Sequence, residues 1–412
     1  KEIWSHQETW NFWTYKRDLK LKDWFKSKNI KWNEASQNGV IRGLKNRDGW
    51  SKEWQRRMNI LPYEPPKKIR DYKFISENIP SARQLGLKND GIEILQKGGR
   101  YEGLRLLKSF LNKRGKNYSK EMSSPLTAHY SSSRLSAHIA FGTLSIKEII
   151  QQTINRKREI QKLPKDEKEN WPRSINTFSS RLRWHCHFIQ KLEDQPDIEF
   201  KNMHSSYNKL RNEKDNNLFF ERWKNGFTGY PMVDACMRSL IKTGWLNFRM
   251  RAMLMSFASY HLWLPWQKTS KYLATLFIDY EPGIHYSQSQ MQSGTTGINA
   301  IRIYNPIKQG IDHDPDGIFI KKWVPELKNV PKKYIHMPWE DKNYIKEYNF
   351  PIVEESLARK VAASKIYKLR KEQTHKIESN KIYIKHGSRK PRIKKIKKQA
   401  KNKKVEIQKN LF

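Results

Sequence analysis

The chain has 412 residues, 81 of them Lys or Arg against 41 Asp or Glu, giving a formal net charge of +40 and a pI near 10.0. That length suits about two or three domains, and a field of that sign favours a polyanionic partner, either nucleic acid or an anionic membrane surface. The 15 Trp, 18 Tyr and 17 Phe exclude a disordered chain, and two cysteines, Cys186 and Cys236, exclude a disulfide scaffold or a four-cysteine metal site.

The start, Lys1-Glu2-Ile3-Trp4, has no initiator Met and no signal-peptide pattern, so the N-terminus is expected to lie elsewhere. In residues 9–25, Trp10, Trp13, Leu19 or Leu21 and Trp24 recur with helical spacing. Residues 31–41 read as strand and turn. Residues 62–66 mark a linker, and 80–99 form a second punctuated stretch. From Gly99 to about Leu327 the pattern is mainly helical. Leu104, Leu107, Lys108 and Leu111 share one face, and 136–141, 144–154, 178–192, 233–241, 249–264 and 272–278 read as further helices. No run approaches the roughly 18 uncharged apolar residues of a transmembrane helix, so no membrane span is expected. From Arg389 to Lys404, ten of sixteen residues are Lys or Arg and none is acidic. Such a block repels itself and is expected to be disordered. It reads either as a nonspecific phosphate-binding arm or as a solvated lysine tail with no specific task.

There is no Walker loop, HExxH or GxSxG, and Gly98-Gly99 lacks the strand and later glycines of a dinucleotide fingerprint. Ser131-Ser132-Ser133-Arg134-Leu135-Ser136 precedes Ala140-Phe141-Gly142-Thr143-Leu144-Ser145. Small hydroxyl residues ahead of a helix supply caps, and with Arg134 they suit a pyrophosphate, although such caps are common. Four longer blocks follow: residues 223–240, containing Gly229-Tyr230-Pro231-Met232-Val233-Asp234-Ala235; residues 243–251; Asp279-Tyr280-Glu281-Pro282-Gly283; and 302–327. In this order and spacing the blocks resemble the photolyase/cryptochrome family, strongly over residues 96–330. Residues 1–60 are similar to the last part of that family's N-terminal antenna domain.

The resemblance implies a mainly α protein: an all-helical FAD-binding domain of photolyase type, preceded by the remnant of an α/β (Rossmann-like) antenna domain. The expected divisions are 1–62 for the remnant, 63–98 for a linker, 99–340 for the helical domain and 341–412 for a basic extension, disordered after 388. The implied cofactor is FAD; no antenna chromophore is assigned. Tyr118 and the turn Ser132, Ser133, Arg134, Leu135, Ser136 match positions that grip the FAD phosphates. Arg251 and Asp279 match an ion pair beside the isoalloxazine ring, and Tyr280 and Glu281 lie along the flavin. An Arg–carboxylate pair there favours an anionic reduced flavin while staying internally compensated. Arg181, Arg183, Trp184, His185, Phe248, Arg249 and Gln309 fall at or beside DNA-contact positions, with Trp184 matching the lesion-stacking ring or else an ordinary core Trp. The implied reaction is light-driven splitting of cyclobutane pyrimidine dimers by electron transfer from reduced FAD. The implied partner is dimer-containing DNA, bound by a monomer in the cytoplasm, at the nucleoid if the source is bacterial.

Departures from the family pattern keep other readings open. Arg181 replaces a Glu that commonly bonds the dimer. His285 stands where Asn commonly faces flavin N5; it reads either as a group that titrates near neutrality and tunes the flavin, or as filler. Of three photoreducing tryptophans only the middle one is matched, by Trp266, thirteen residues before Asp279. Ser289 takes the flavin-proximal position and Glu213 the distal one, leaving Trp245, Trp263 or tyrosines as substitutes. Phe248 and Ala252 replace the paired histidines of (6-4) photolyases. His185 and His187 flank Cys186 without a fourth ligand, so no metal site is expected. The alternatives are a cryptochrome-like blue-light receptor without repair, and a basic helical DNA-binding protein that has lost flavin.

Overall fold

In this computed structural model the described residues are 1–64, 66–68, 78–211, 217–345 and 347–389. At the N-terminus β1 (Glu2–His6) pairs in parallel with β2 (Lys31–Ala35), Glu2 opposite Lys31 and His6 opposite Ala35, across helix α1 (Phe12–Ser27). Asn11 caps α1 by accepting from the Thr14 amide. The expected helix and second strand are present. The first strand carried no apolar alternation, and it forms through backbone pairing. In α2 (Trp50–Asn59), Trp50, Trp54 and Met58 recur every fourth residue and are buried.

The helical body follows. It begins with α3 (Arg100–Asn112) and the short turns α4 (Tyr118–Glu121), α5 (Ala128–Ser131) and α6 (Ser136–Ala140). Then come α7 (Ile146–Lys162), α8 (Lys165–Lys168) and the long α9 (Trp171–Asp194). Next are α10 (Asn217–Lys224), α11 (Pro231–Thr243), α12 (Phe248–Ser256), α13 (Trp266–Leu276) and α14 (Pro282–Ser293). The series closes with α15 (Pro306–His313), α16 (Ile318–Trp323), α17 (Glu355–Arg370) and α18 (Gln373–His386).

Ile175, Phe178, Leu182, Cys186 and Ile189 form the buried stripe of α9. At Ile189 it meets α14 so closely that a Cβ on Gly283 would lie 2.5 Å from Ile189 Cα. The residues read as one helix over 249–264 are two pieces. A π turn, Phe257–His261, ends the regular helix, and Trp263 takes a left-handed φ of 54°. The α/β remnant is tied to α9 by buried Gln190. Its side chain accepts from the Ile41 amide and the Trp50 indole and donates to the Ile41 carbonyl.

The family block around Asp234 builds the fold. The Asp234 carboxylate accepts from the Thr228 amide and hydroxyl, the Gly229 amide and the Tyr348 hydroxyl. A Cβ on Gly229 (φ 79°) would lie 2.3 Å from the Phe350 carbonyl oxygen, so glycine is required there. Arg238 makes an ion pair with Glu326, one nitrogen, Nη1, donating to both carboxylate oxygens.

Residues 355–386, expected to belong to a basic extension, form two packed helices. Ala362 and Ile366 are buried with Tyr207 and Tyr260. His375 stacks on His204 with ring centroids 4.0 Å apart and pairs with the Tyr207 hydroxyl at 2.9 Å. The lysine-rich tail from residue 390 onward lies outside the described residues.

Candidate functional site

Gly244 sets the site's frame. Its left-handed φ of 64° ends α11, its carbonyl accepts the Ile278 amide at 3.0 Å, and a Cβ on it would lie 2.4 Å from the Ile278 side chain. This pins the segment carrying Asp279 beside the start of α12. Arg251, on the first turn of α12, then meets Asp279 with two parallel bonds of 2.9 Å, and its Nε donates to the Leu246 carbonyl at 2.6 Å. Burial works to raise the Asp279 carboxyl. Arg251 outweighs it, and with the Ser136 hydroxyl holds the group below its ordinary range.

The serine turn sits opposite. Arg114, which the sequence did not single out, organises it by donating to the carbonyls of Leu106, Tyr130, Ser132 and Ser133. Leu135 is buried in the core. Arg134 has a φ of 61°, an uncommon conformation for a residue with a side chain. Its guanidinium lies 3.8 Å from the Trp245 ring centroid. Gln96, within the expected linker, donates to the Arg134 carbonyl and accepts from its Nε. Burial, with Arg251 and Arg114 adding to it, lowers Arg134 to about 10. No carboxylate lies within ion-pair distance of Arg134 among the described residues. Arg134 and Arg251 thus lie near one carboxylate, Asp279, and Arg114 adds its charge beside Arg134, an excess of positive charge that suits the phosphates of a dinucleotide. Tyr118 packs against Phe110 and Phe178, with Arg181 nearby.

Beyond Asp279, the Tyr280 ring contacts Trp10 of the N-terminal segment at 6.0 Å, and its hydroxyl donates to the Tyr286 hydroxyl at 3.3 Å. Glu281 is raised to about 8, first by burial and then by the nearby Glu8 charge. Its Oε1 is buried with no partner, and an orphaned acceptor of this kind suits a donor from a bound group. His285 does not titrate near neutrality. Burial pushes it down to about 4, and its Nε2 donates to the Ser270 carbonyl at 2.8 Å, leaving Nδ1 as an acceptor. Trp266 is buried, with its indole N–H donating to Asn202 at 2.7 Å. Glu213 lies outside the described residues.

The basic and aromatic residues separate into groups. Trp184 and Phe248 are each 43% exposed, and the Arg181 guanidinium lies 4.6 Å from one ring centroid and 5.3 Å from the other. Arg183, two residues along α9, stacks on Trp54 of α2 instead. His185 is half-buried beside Cys186 Sγ, and burial lowers it to about 4. Arg249 lies over Tyr304, its Nε buried without a partner; Gln309 Oε1 is likewise unpaired. Among the described residues no cluster of His, Cys, Asp and Glu is arranged to hold a metal ion, and no helix is long and apolar enough to cross a membrane.

Residues 178–368 match the family model described as the FAD binding domain of DNA photolyase. The chain is 30% identical over 277 residues to a deoxyribodipyrimidine photo-lyase of Alkalihalophilus pseudofirmus, covering 65% of this chain and 55% of that protein. It is 28% identical over 354 residues to cryptochrome-2 of Arabidopsis thaliana, covering 79% of this chain and 55% of that protein. It superposes on a bacterial class III photolyase from Agrobacterium tumefaciens with a TM-score of 0.77 at 25% identity, covering 90% of this chain and 80% of the other. The chain thus spans a little over half the length of the curated relatives it matches. Five ordered sequence blocks, a helical body behind a parallel α/β remnant and these likenesses agree: the chain belongs to the photolyase/cryptochrome family and carries its FAD-binding domain.

Proposed function

We propose that this flavoprotein splits cyclobutane pyrimidine dimers in DNA under blue light. The observation that carries the reading is the spacing along α12. Phe248 is exposed beside Trp184 and Arg181, and three residues on Arg251 makes the pair with Asp279. A surface suited to stacking on a base and a pair suited to a flavin ring are therefore one helical turn apart.

In this reading Tyr118, Ser132, Ser133, Arg134, Leu135 and Ser136 hold the FAD phosphates. Arg251 balances negative charge on the flavin ring, Asp279 fixes its orientation, and Tyr280 and Glu281 line the ring's edge. His285, kept neutral by burial and held with its Nε2–H on the Ser270 carbonyl, offers Nδ1 as a hydrogen-bond acceptor. Reduced flavin supplies the electron that opens the dimer. The lesion leaves the stack and lies against Trp184, while Arg181 and Arg249 meet its phosphates, with Gln309 alongside.

The test is direct. Purified protein is expected to show a flavin absorption band and, when illuminated in the reduced state with dimer-containing oligonucleotides, to restore the thymine absorbance. Trp184→Ala is expected to weaken binding of dimer-containing DNA about 10- to 100-fold, the worth of one stacked base. The second reading, a blue-light receptor of cryptochrome type without repair, is favoured by Arg181 in place of a dimer-bonding acid. Flavin without restored thymine absorbance selects it, and protein without flavin defeats both.

A further inference from the structure

We propose that α18 is an acid-released clasp, held to the body through two imidazoles, His375 and His386, whose surroundings leave no place for a second proton. The buried residues of this helix are His375, Ile382 and His386. They are seven and four residues apart and so fall on one face. His375 is 3% exposed and His386 0%. The face that docks is thus built mainly from groups whose ordinary titration lies near neutrality.

The bonds around His375 run in one direction. A guanidinium only donates, so Arg370 Nε–H points at the Tyr207 oxygen at 3.0 Å. The Tyr207 hydroxyl is then the donor to His375 Nε2 at 2.9 Å. His375 Nδ1 carries the ring's one hydrogen and donates to Ser379 Oγ at 3.3 Å, and Ser379 donates to the Gly297 carbonyl at 3.2 Å. A proton on Nε2 would meet the Tyr207 oxygen with the guanidinium behind it. His204, stacked on this ring, donates from Nε2 to the His375 carbonyl at 3.0 Å and faces Glu378 across 3.5 Å with Nδ1. Glu378 is the acid on this side, and its oxygens already accept from the Ser205 amide and hydroxyl. At the other end, His386 Nε2 donates to Gln195 Oε1 at 2.8 Å, and Nδ1 is buried without a partner. Lys191, Arg47, Lys385 and His187 surround this ring. Asp194 lies 3.3 Å from Arg47, and Arg389, just past the helix, pairs with Asp48 at 2.7 Å. A proton on Nδ1 would add charge to a pocket already rich in cations.

Burial lowers His375 to about 4, with His204 and Arg370 adding to it against Glu378, and pushes His386 lower still. Once α18 is free, both rings titrate at the ordinary 6.5. A histidine lowered in the docked state holds the helix fully above 6.5 and loses that hold as pH falls toward the docked value. At pH 5 each ring favours the free helix about 30-fold, and the two together about 1,000-fold. The release stops at α17, which is held by Ala362 and Ile366 and has nothing to titrate there. It also frees the attachment point of the lysine-rich tail.

Hydrogen exchange of the full-length protein tests this, with protection at each pH taken relative to the chemical exchange rate of an unfolded peptide. Protection over residues 373–386 is expected to fall about 1,000-fold from pH 8 to pH 5, while residues 100–112 of α3 stay better protected at both. His375→Gln and His386→Gln are each expected to cut the fall to about 30-fold, and the double variant to remove it. His386→Lys sets a lasting charge in the pocket. It is expected to lower α18 protection about 30-fold or more at pH 8 with α3 unchanged. A glutamine that loosens the helix at pH 8 does not blur the result, because the ratio between pH 8 and pH 5 is taken within each variant. Equal α18 protection at pH 8 and pH 5 in the parent overturns the proposal. So does a fall in which α3 and α18 have the same protection at each pH, since that is unfolding of the whole molecule. A single glutamine variant that keeps the full parental fall overturns the two-histidine clasp, as does His386→Lys with parental protection at pH 8.

Discussion

Arg251 and Asp279 stabilise each other because each would otherwise be a charge with little water. Asp279 has 4% of its side chain exposed and Arg251 26%. Asp279→Asn leaves Arg251 and Arg134 facing each other without a counter-charge. It is expected to cost about 3 kcal/mol, at the low end for breaking a buried pair because Arg251 retains some hydration. Urea denaturation of flavin-free protein checks the stability, and the ratio of flavin to protein absorbance checks the site. Arg114 acts on the same pocket by fixing backbone. Arg114→Ala leaves carbonyls at Ser132 and Ser133 without their donor, and is expected to lower the flavin content together with a loss of about 2 kcal/mol or more. A variant retaining full flavin and stability refutes the role assigned to Arg114. Glu281 is held neutral to about pH 8 by burial and Glu8. An acid whose folded value is raised contributes stability that is complete below its unfolded value, near 4.5, and lost as pH rises through 8. Glu281→Gln is therefore expected to narrow the gap in melting temperature between pH 6 and pH 9; an unchanged gap counts against it.

At the scale of elements, α14 is the helix that the pattern of residues concealed. Its buried residues include Ser287, Ser289, Gln290, Gln292 and Ser293, so no apolar stripe announces it. Three of them bond inside: Ser287 donates to the Phe188 carbonyl and Ser293 to the Gln290 carbonyl, with Gln290 the most connected. The Gln290 side chain donates to the Ile198 and Lys201 carbonyls and accepts from the Met203 amide. The helix lies close to α9 because Gly283 has no side chain. Gly283→Ala would set a Cβ 2.5 Å from the Ile189 backbone, and the required separation is expected to cost about 1–3 kcal/mol. A denaturation midpoint equal to the parent's would show that α9 and α14 can part freely. The break between α12 and Trp263 was hidden for the opposite reason: residues 249–264 read as continuous apolar helix, whereas the chain forms a π turn whose Tyr260 packs with Ala362 and Ile366 of α17.

At the scale of the whole molecule, several partly buried histidines contribute to the response to acid. Burial lowers His185 and His285 to about 4 and His187 to about 3, against an ordinary value of 6.5. The unfolded chain takes up protons from 6.5 downward, while the folded chain resists until near 4. The contribution of these histidines to stability is therefore full above pH 6.5 and falls as pH drops toward 4. The denaturation midpoint is expected to fall steeply between pH 7 and pH 5, and His187→Gln to make the fall shallower. A flat profile over that interval contradicts the burial argument.

The net charge of +40 pointed to a polyanion without choosing one, because charge is a property of the whole surface and identifies no site. The residue blocks went further. Arg251, Asp279, Tyr280 and Glu281 stand in contiguous motifs, and a motif survives in sequence wherever neighbouring residues serve one turn of chain. The sequence by itself determined the helical class, the family and the Arg251–Asp279 pairing. The tertiary structure alone decided what residues distant in the chain do together. It brought Arg114 and Gln96 to the serine turn, placed Arg183 on Trp54 and away from Trp184, and set His386 beside Arg47 and Lys191. It also packed residues 355–386 onto the body and depressed His285 to about 4. The physical reason is common to these cases. Burial, ring contact and desolvation depend on which surfaces meet across long sequence separations, and no local spacing records that.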